Sequence, residues 1–162
     1  MGSYYQNSLQ NTLRLAAGSI ALQKPLEGIE VPIYHIAEMK KINPDVNPAM
    51  IMQTVTGEFM KAGIVTKPAG EGPPLHMHPN EEQFTLILEG KLHMILGDQD
   101  CIVERGDLIH IPRFTQHRSR AVEGPAVFFT VKYPAGSGDL NQDYNKAANA
   151  EEAEKKYPGN QE

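Results

Sequence analysis

Cysteine is almost missing from this chain: Cys101 is the only one in 162 residues. One thiol cannot close an internal disulfide, so a reducing, cytoplasmic setting is expected. Cys101 lies between Asp100 and Ile102 near a predicted turn and reads as structural rather than nucleophilic. No run of about 18 apolar residues occurs, so no membrane span is expected. The first residues lack the basic stretch of a secretory signal. Gln6 stands where myristoylation needs Ser or Thr. Arg14 and Lys24 precede the first acid, Glu27, which is too little basic character for a transit peptide. Nor is there an excess of basic charge. Lys and Arg total 15 against 20 Asp and Glu, for a net charge of −5. No basic stripe marks a nucleic-acid partner.

What the chain does have is 40 % apolar residues, enough for a packed core in one domain. Its 12 prolines and 14 glycines imply frequent turns, as short strands require. Residues 8–22 read as a short helix, because Leu9, Leu13, Ala16, Ala17 and Ile20 fall on one helical face. From about Val31 the pattern turns to strands. Candidates are Ile33–Ile36, Met50–Thr54, Glu58–Thr66, Leu75–His78, Gln83–Leu88, Lys91–Leu96, Asp100–Val103, Leu108–Ile111, His117–Ala121 and Ala126–Tyr133. Many short strands at regular spacing predict an all-β sandwich or barrel. The strand Gln83–Leu88 is apolar on both faces, which predicts a cover over the outer wall: the N-terminal helix or a second subunit. Residues 143–157 are rich in Ala, Glu and Lys without a large apolar face. They read as a marginal surface helix stopped by Pro158-Gly159. The expected organisation is an N-terminal extension over 1–30, a barrel over 31–134 and a C-terminal polar helix or tail over 135–162.

The chemistry concentrates between Gly70 and Gly90. His76 and His78 are one residue apart, so on a strand both point to the same face. A polar donor follows after a short loop, at Glu82 or Gln83. His117 comes later, after its own Gly-Asp and Ile-Pro punctuation. This is the layout of a metal site assembled from two neighbouring hairpins.

The segment Gly70 to Gly90 resembles the first motif of the cupin superfamily, G-x5-H-x-H-x3,4-E-x6-G, with Gly70, His76, His78 and Gly90 matching. Gly106 to His117 resembles the second motif, G-x5-P-x-G-x2-H-x3-N, with Gly106, Pro112 and His117 matching. Phe114 replaces the family glycine and Ala121 the final Asn. Neither of those positions is a ligand in the family. The resemblance implies a jelly-roll β-barrel, one divalent metal ion and a homodimer. Counting back from Gly90 places the third ligand at Gln83; counting forward from His78 also permits Glu82. The strand side is the stricter ruler, because one step of slip flips the face. The implied metal ligands are therefore His76, His78, Gln83 and His117, with Glu82 as the alternative to Gln83. A set with Gln83 is neutral and leaves the metal its full charge as a Lewis acid. Imidazole and oxygen donors suit Zn, Ni, Fe, Mn or Co alike.

Three further residues are candidates for moving protons: Glu82 as a general base if it is not a ligand, and His93 and His110 as cavity-facing histidines. Glu81 shares the possibility with Glu82, against a reading as a solvated turn. Arg113 is placed to grip a substrate carboxylate, whereas alternation from His117 puts Arg118 on an outer surface. Tyr34 and His35 fit a structural role better, and the scattered methionines read as core. Three functions compete. The first is a metal-dependent isomerase, lyase or cyclase acting on a small oxygenated substrate. The second is an Fe(II) dioxygenase of a small aromatic or thiol compound. The third is a module that binds a small ligand without turnover.

Overall fold

Alternating burial along two long strands organises this fold. A computed structural model describes residues 32–158. The helix expected over 8–22 lies outside the described residues. In chain order the elements are a 3₁₀ turn at Ile36–Glu38, then β1 (Ile51–Thr56), β2 (Lys61–Lys67), β3 (His76–Met77) and β4 (Glu82–Leu96). They continue with β5 (Gln99–Glu104), β6 (Leu108–Ile111), β7 (His117–Tyr133), β8 (Asn145–Lys146) and a single-turn helix, α1 (Ala150–Glu154). All pairings are antiparallel, in the order β1-β2-β7-β3-β8, with β4 joined to β5, β6 and β7. The all-β cupin jelly roll expected from the sequence is what forms.

β4 fuses two predicted strands, and so does β7. Each changes face midway. In the first half of β4, Gln83, Thr85 and Ile87 are buried; after Gly90 the inward set is Leu92 and Met94. Register shifts between Ile87 and Lys91 insert the extra step that swaps the faces. β7 does the same around Glu123 and Gly124, both at positive φ. Its inward residues pass from His117, Ser119 and Ala121 to Ala126, Phe128, Thr130 and Lys132. Gly90 is required at this corner. Its φ is +74°, and a Cβ there would run into the Pro125 carbonyl oxygen.

The inward side chains form one core, including Met50, Met52, Val65, Ile87, Leu92, Met94, Ile109, Ile111 and Phe128. Each large side chain contributes about 2 kcal/mol by leaving water. A second cluster lies on the outer side of the sheet, where Ala147, Ala150 and Ala153 pack on Leu75 and Ile95. Residues from Tyr34 onward form one compact unit that includes this C-terminal segment. The marginal surface helix of the sequence reading is thus a docked single turn. Alanines, not large apolar residues, make its contact, so its buried face left no strong periodic signal. Around Ile33–Ile36, too, the structure differs, since Ile36 opens a 3₁₀ turn instead of ending a strand. Elsewhere on the outer wall the apolar face of β4 stays partly exposed. Cross-strand neighbours Phe84, Leu108 and Phe129 remain 45 %, 67 % and 38 % exposed.

Phe114, where the cupin motif has glycine, holds φ +61° and is largely exposed. A left-handed conformation costs a residue with a Cβ about 1–2 kcal/mol. F114G should therefore leave stability unchanged or raise it by up to about 1 kcal/mol, because glycine's added chain entropy offsets part of the relief. G90A should lower it by about 3 kcal/mol, through strain and a backbone clash. Denaturant midpoints at constant slope check both.

Candidate metal centre

β3 carries His76, the residue after β3 is His78, and His117 opens β7 directly across from His76. Met77, between the two histidines, is turned away and only half-buried, as strand alternation requires. The three rings converge. Their centroids lie 4.2 Å apart for His76 and His117, 5.0 Å for His76 and His78, and 5.2 Å for His78 and His117. One nitrogen from each ring falls within 4.8 Å of the others.

Each ring is oriented by a backbone carbonyl. Nδ1 of His76 lies 2.8 Å from the Pro74 oxygen, that of His78 3.0 Å from Asp143, and that of His117 3.0 Å from Thr115. A carbonyl only accepts, so every Nδ1 carries the proton and every Nε2 keeps a lone pair. Protonation is further opposed by burial. Burial first, then the neighbouring charges, hold His78 at about 4 and His117 at about 3; His76 also lies well below the ordinary histidine range. Three neutral imidazoles with fixed tautomers are the donor set a divalent transition metal binds, with the anchoring carbonyls behind them.

These rings line a cavity of about 590 Å³, counted out to its mouth. Gln83 lines the same cavity and donates its amide nitrogen to Thr85 Oγ1 at 2.8 Å, which leaves its carbonyl oxygen available. Glu82, the alternative ligand, points to the outer face of β4. There its Oε1 accepts from Nε2 of His110 at 2.7 Å, and His110 stacks on Phe84. Both Glu82 and His110 are about half-exposed. His93 is buried on the far side of the sheet, between Asp100 at 2.6 Å and Arg118 at 2.7 Å. Glu82, His93 and His110 therefore do not line the cavity. For His93 the physical reason is the face change at Gly90: regular alternation from Gln83 would have brought it inward.

Arg118 is on the outer face, as alternation predicts, but it is not a surface residue. α1 covers it completely, and it donates to the Ala153 carbonyl at 2.7 Å. Arg113 is exposed and donates to the Pro79 carbonyl. Tyr34 and His35 are exposed.

Glu81 departs most from the sequence reading. It is 1 % exposed and holds two lysines, Lys61 at 2.5 Å and Lys132 at 3.2 Å. Lys132 also donates to Nε2 of His78 at 3.0 Å and to the Leu140 carbonyl at 2.6 Å, and burial lowers its ammonium to about 8. A metal held by His78 would use the lone pair that now accepts from Lys132. Lys61, Lys67 and Lys132 all went unremarked in the sequence. Their signal was a lysine at inward parity on a strand otherwise buried on that side. The C-terminal segment completes the site: Asp143 supplies the carbonyl that orients His78, and Tyr144 stacks on His76 at 4.5 Å.

Among known proteins, the family model described as Cupin domain matches residues 63–132. The Bacillus subtilis (strain 168) protein named quercetin 2,3-dioxygenase is 31 % identical over 65 residues, which cover 40 % of this chain but only 19 % of that protein. The structure of KdgF from Halomonas sp. superposes with a TM-score of 0.59 at 19 % identity, over 65 % of this chain and 94 % of that one. The polyketide cyclase RemF from Streptomyces resistomycificus gives 0.57 at 17 % identity, over 70 % and 89 % of the two chains. Residues 63–132, which carry His76, His78 and His117, match the cupin domain family, and the barrel around them has the jelly-roll fold of these two solved structures.

Proposed function

We propose that this protein is a metal-dependent enzyme in which a divalent ion, held by His76, His78, His117 and the Gln83 carbonyl oxygen, acts as a Lewis acid on a small oxygenated substrate. The reaction class is isomerisation, elimination or cyclisation. The observation that carries this reading is the direction of two adjacent side chains: Gln83 lines the cavity that the three histidines line, and Glu82 points out of it to His110. The donor set is then neutral. A bound ion keeps its full charge for a carbonyl or enediol oxygen, which is the chemistry it supplies when present.

The protein's own contribution is placement. Backbone carbonyls preset the tautomer of each ligand ring. The apolar wall of Met52, Leu92, Ile111 and Phe128 limits water. Lys132, which lines the cavity and is held by Glu81, is the group placed to give or take a proton beside the site. A dioxygenase is the second reading, favoured by the sequence match to a protein of that name.

H76A and H117A should each abolish stoichiometric metal after purification, and Q83A should weaken retention, whereas E82A should leave metal content unchanged. Elemental analysis reads all four. Conversion of enolisable hydroxy and keto compounds should proceed equally with and without air, followed by NMR in D2O. A strict requirement for O2 would transfer the reading to the dioxygenase.

The pH dependence of the metal-free protein has a fixed sign. Unfolded histidines take up protons near the ordinary 6.5, whereas His78 and His117 resist until about 4 and about 3. The unfolded state binds more protons in that window, so stability falls as pH drops from 6.5 toward 3–4, by several kcal/mol in all. Thermal melts between pH 7.5 and 4.5 should show this loss, and H117N should flatten it. A melt insensitive to pH in the parent protein would contradict the buried neutral rings.

A further inference from the structure

Charge among the buried described residues is out of balance. Apart from histidines, the buried charged residues are Lys61, Lys67, Lys132 and Arg118, against Glu81 alone. Arg118 lies outside the barrel, beneath α1, and meets Glu154. Lys61 and Lys132 share Glu81. Lys67 remains. It is 1 % exposed and lines the same cavity as the three histidines. Among the described residues no carboxylate forms an ion pair with it.

Its surroundings are those of an apolar core. The ammonium sits 5.2 Å from the centre of the Phe128 ring, in a cavity also lined by Val65 and Met50. Its hydrogen bonds go to one residue, the Ser119 carbonyl at 2.6 Å and Ser119 Oγ at 2.7 Å. Burial, with Arg120 and Arg118 nearby, pulls it down to about 7. A buried cation without a counter-charge costs the fold stability that a methionine of similar size would not. The fold tolerates this cost at a position open to the cavity.

The donor inventory says what would offset it. An ammonium has three N–H groups, and Ser119 uses two. The Ser119 hydroxyl accepts from Lys67, so its own proton is free to donate. One spare N–H and one spare O–H match the two oxygens of a single carboxylate, and the charges match one to one. Position is set by β7: Ser119 is two residues beyond His117 on the same face, about 7 Å along the strand.

We infer that Lys67 and Ser119 form a carboxylate-binding subsite, and that the substrate is a small carboxylic acid whose other oxygens face the histidine cluster. This deepens the reading proposed above and rests on it. The carboxylate fixes one end of the substrate, so that the reacting oxygens are presented to the metal-binding end in one orientation. Apart from the histidines, the charged side chains lining the cavity are Lys67 and Lys132, with no carboxylate, which selects against the neutral analogue of the same acid.

The test uses the full chain loaded with Zn(II) and two probes that differ at one end. 2-Oxoglutarate and 2-oxopentanoate share a chelating 2-oxo acid; only the first has a second carboxylate. Calorimetry should give the parent protein at least about tenfold tighter binding of 2-oxoglutarate, the worth of one charge-assisted contact. K67M should erase that preference and leave zinc stoichiometry unchanged. Its metal-free melting temperature should equal or exceed the parent's, whereas a purely structural lysine would lower it. S119A, which keeps the lysine, should reduce the preference and serves if K67M does not fold. A parent protein without the preference, a K67M that retains it, or tighter binding of inorganic phosphate than of either acid at this subsite would overturn the carboxylate assignment. Failure of the parent to hold zinc at all would overturn the metal-site reading, and this subsite with it.

Discussion

Three Nδ1–H groups, on His76, His78 and His117, each donate to a backbone carbonyl. The rest of the site depends on those bonds. They decide which nitrogen of each ring is free, and they do so without a carboxylate, so the cluster gains order but no negative charge. The carbonyls come from separate places: the proline-stiffened approach to β3, the loop before β7 and the C-terminal segment. The third source ties function to a part of the chain that lies beyond the barrel strands. Losing Asp143 from its place would release His78, and β8 and α1 hold that segment against Leu75 and Ile95.

Burial completes what the hydrogen bonds begin. Neutral rings are ready ligands at neutral pH, because a metal need not expel protons from them. The same burial makes lysines costly. Two of the three are met by Glu81, and the third is met only by a serine. The interior thus combines a neutral ligand cluster with unneutralised positive charge. That combination is poor for stability and good for holding an anion, which is the usual direction of compromise at a functional site.

Much of this was legible in the sequence. The His-x-His spacing, the return of a histidine after Gly106 and Pro112, and the count back from Gly90 single out His76, His78, Gln83 and His117, and all four line one cavity. Strand parity served well within each half-strand, and it placed Arg118 on the outer face. It did not survive the corners. Gly90 and the Glu123-Gly124 pair each insert a step, and nothing in a local pattern says whether such a glycine ends a strand or bends it. His93 was misplaced for that reason. Glu81 was unreadable for another: a charge looks solvated until its partners, 20 and 51 residues away, are seen. Arg118 looked exposed because the small alanines of α1 that bury it carry no amphipathic signature.

The central claim is that three imidazoles with free Nε2 atoms and one amide oxygen make a neutral metal site. X-ray absorption at the zinc edge of the zinc-loaded protein tests it most directly. The account predicts a first shell with three imidazole nitrogens and the remainder oxygen, unchanged in E82A and losing one oxygen donor in Q83A. A shell with fewer than three imidazoles, or one altered by E82A and indifferent to Q83A, would contradict it.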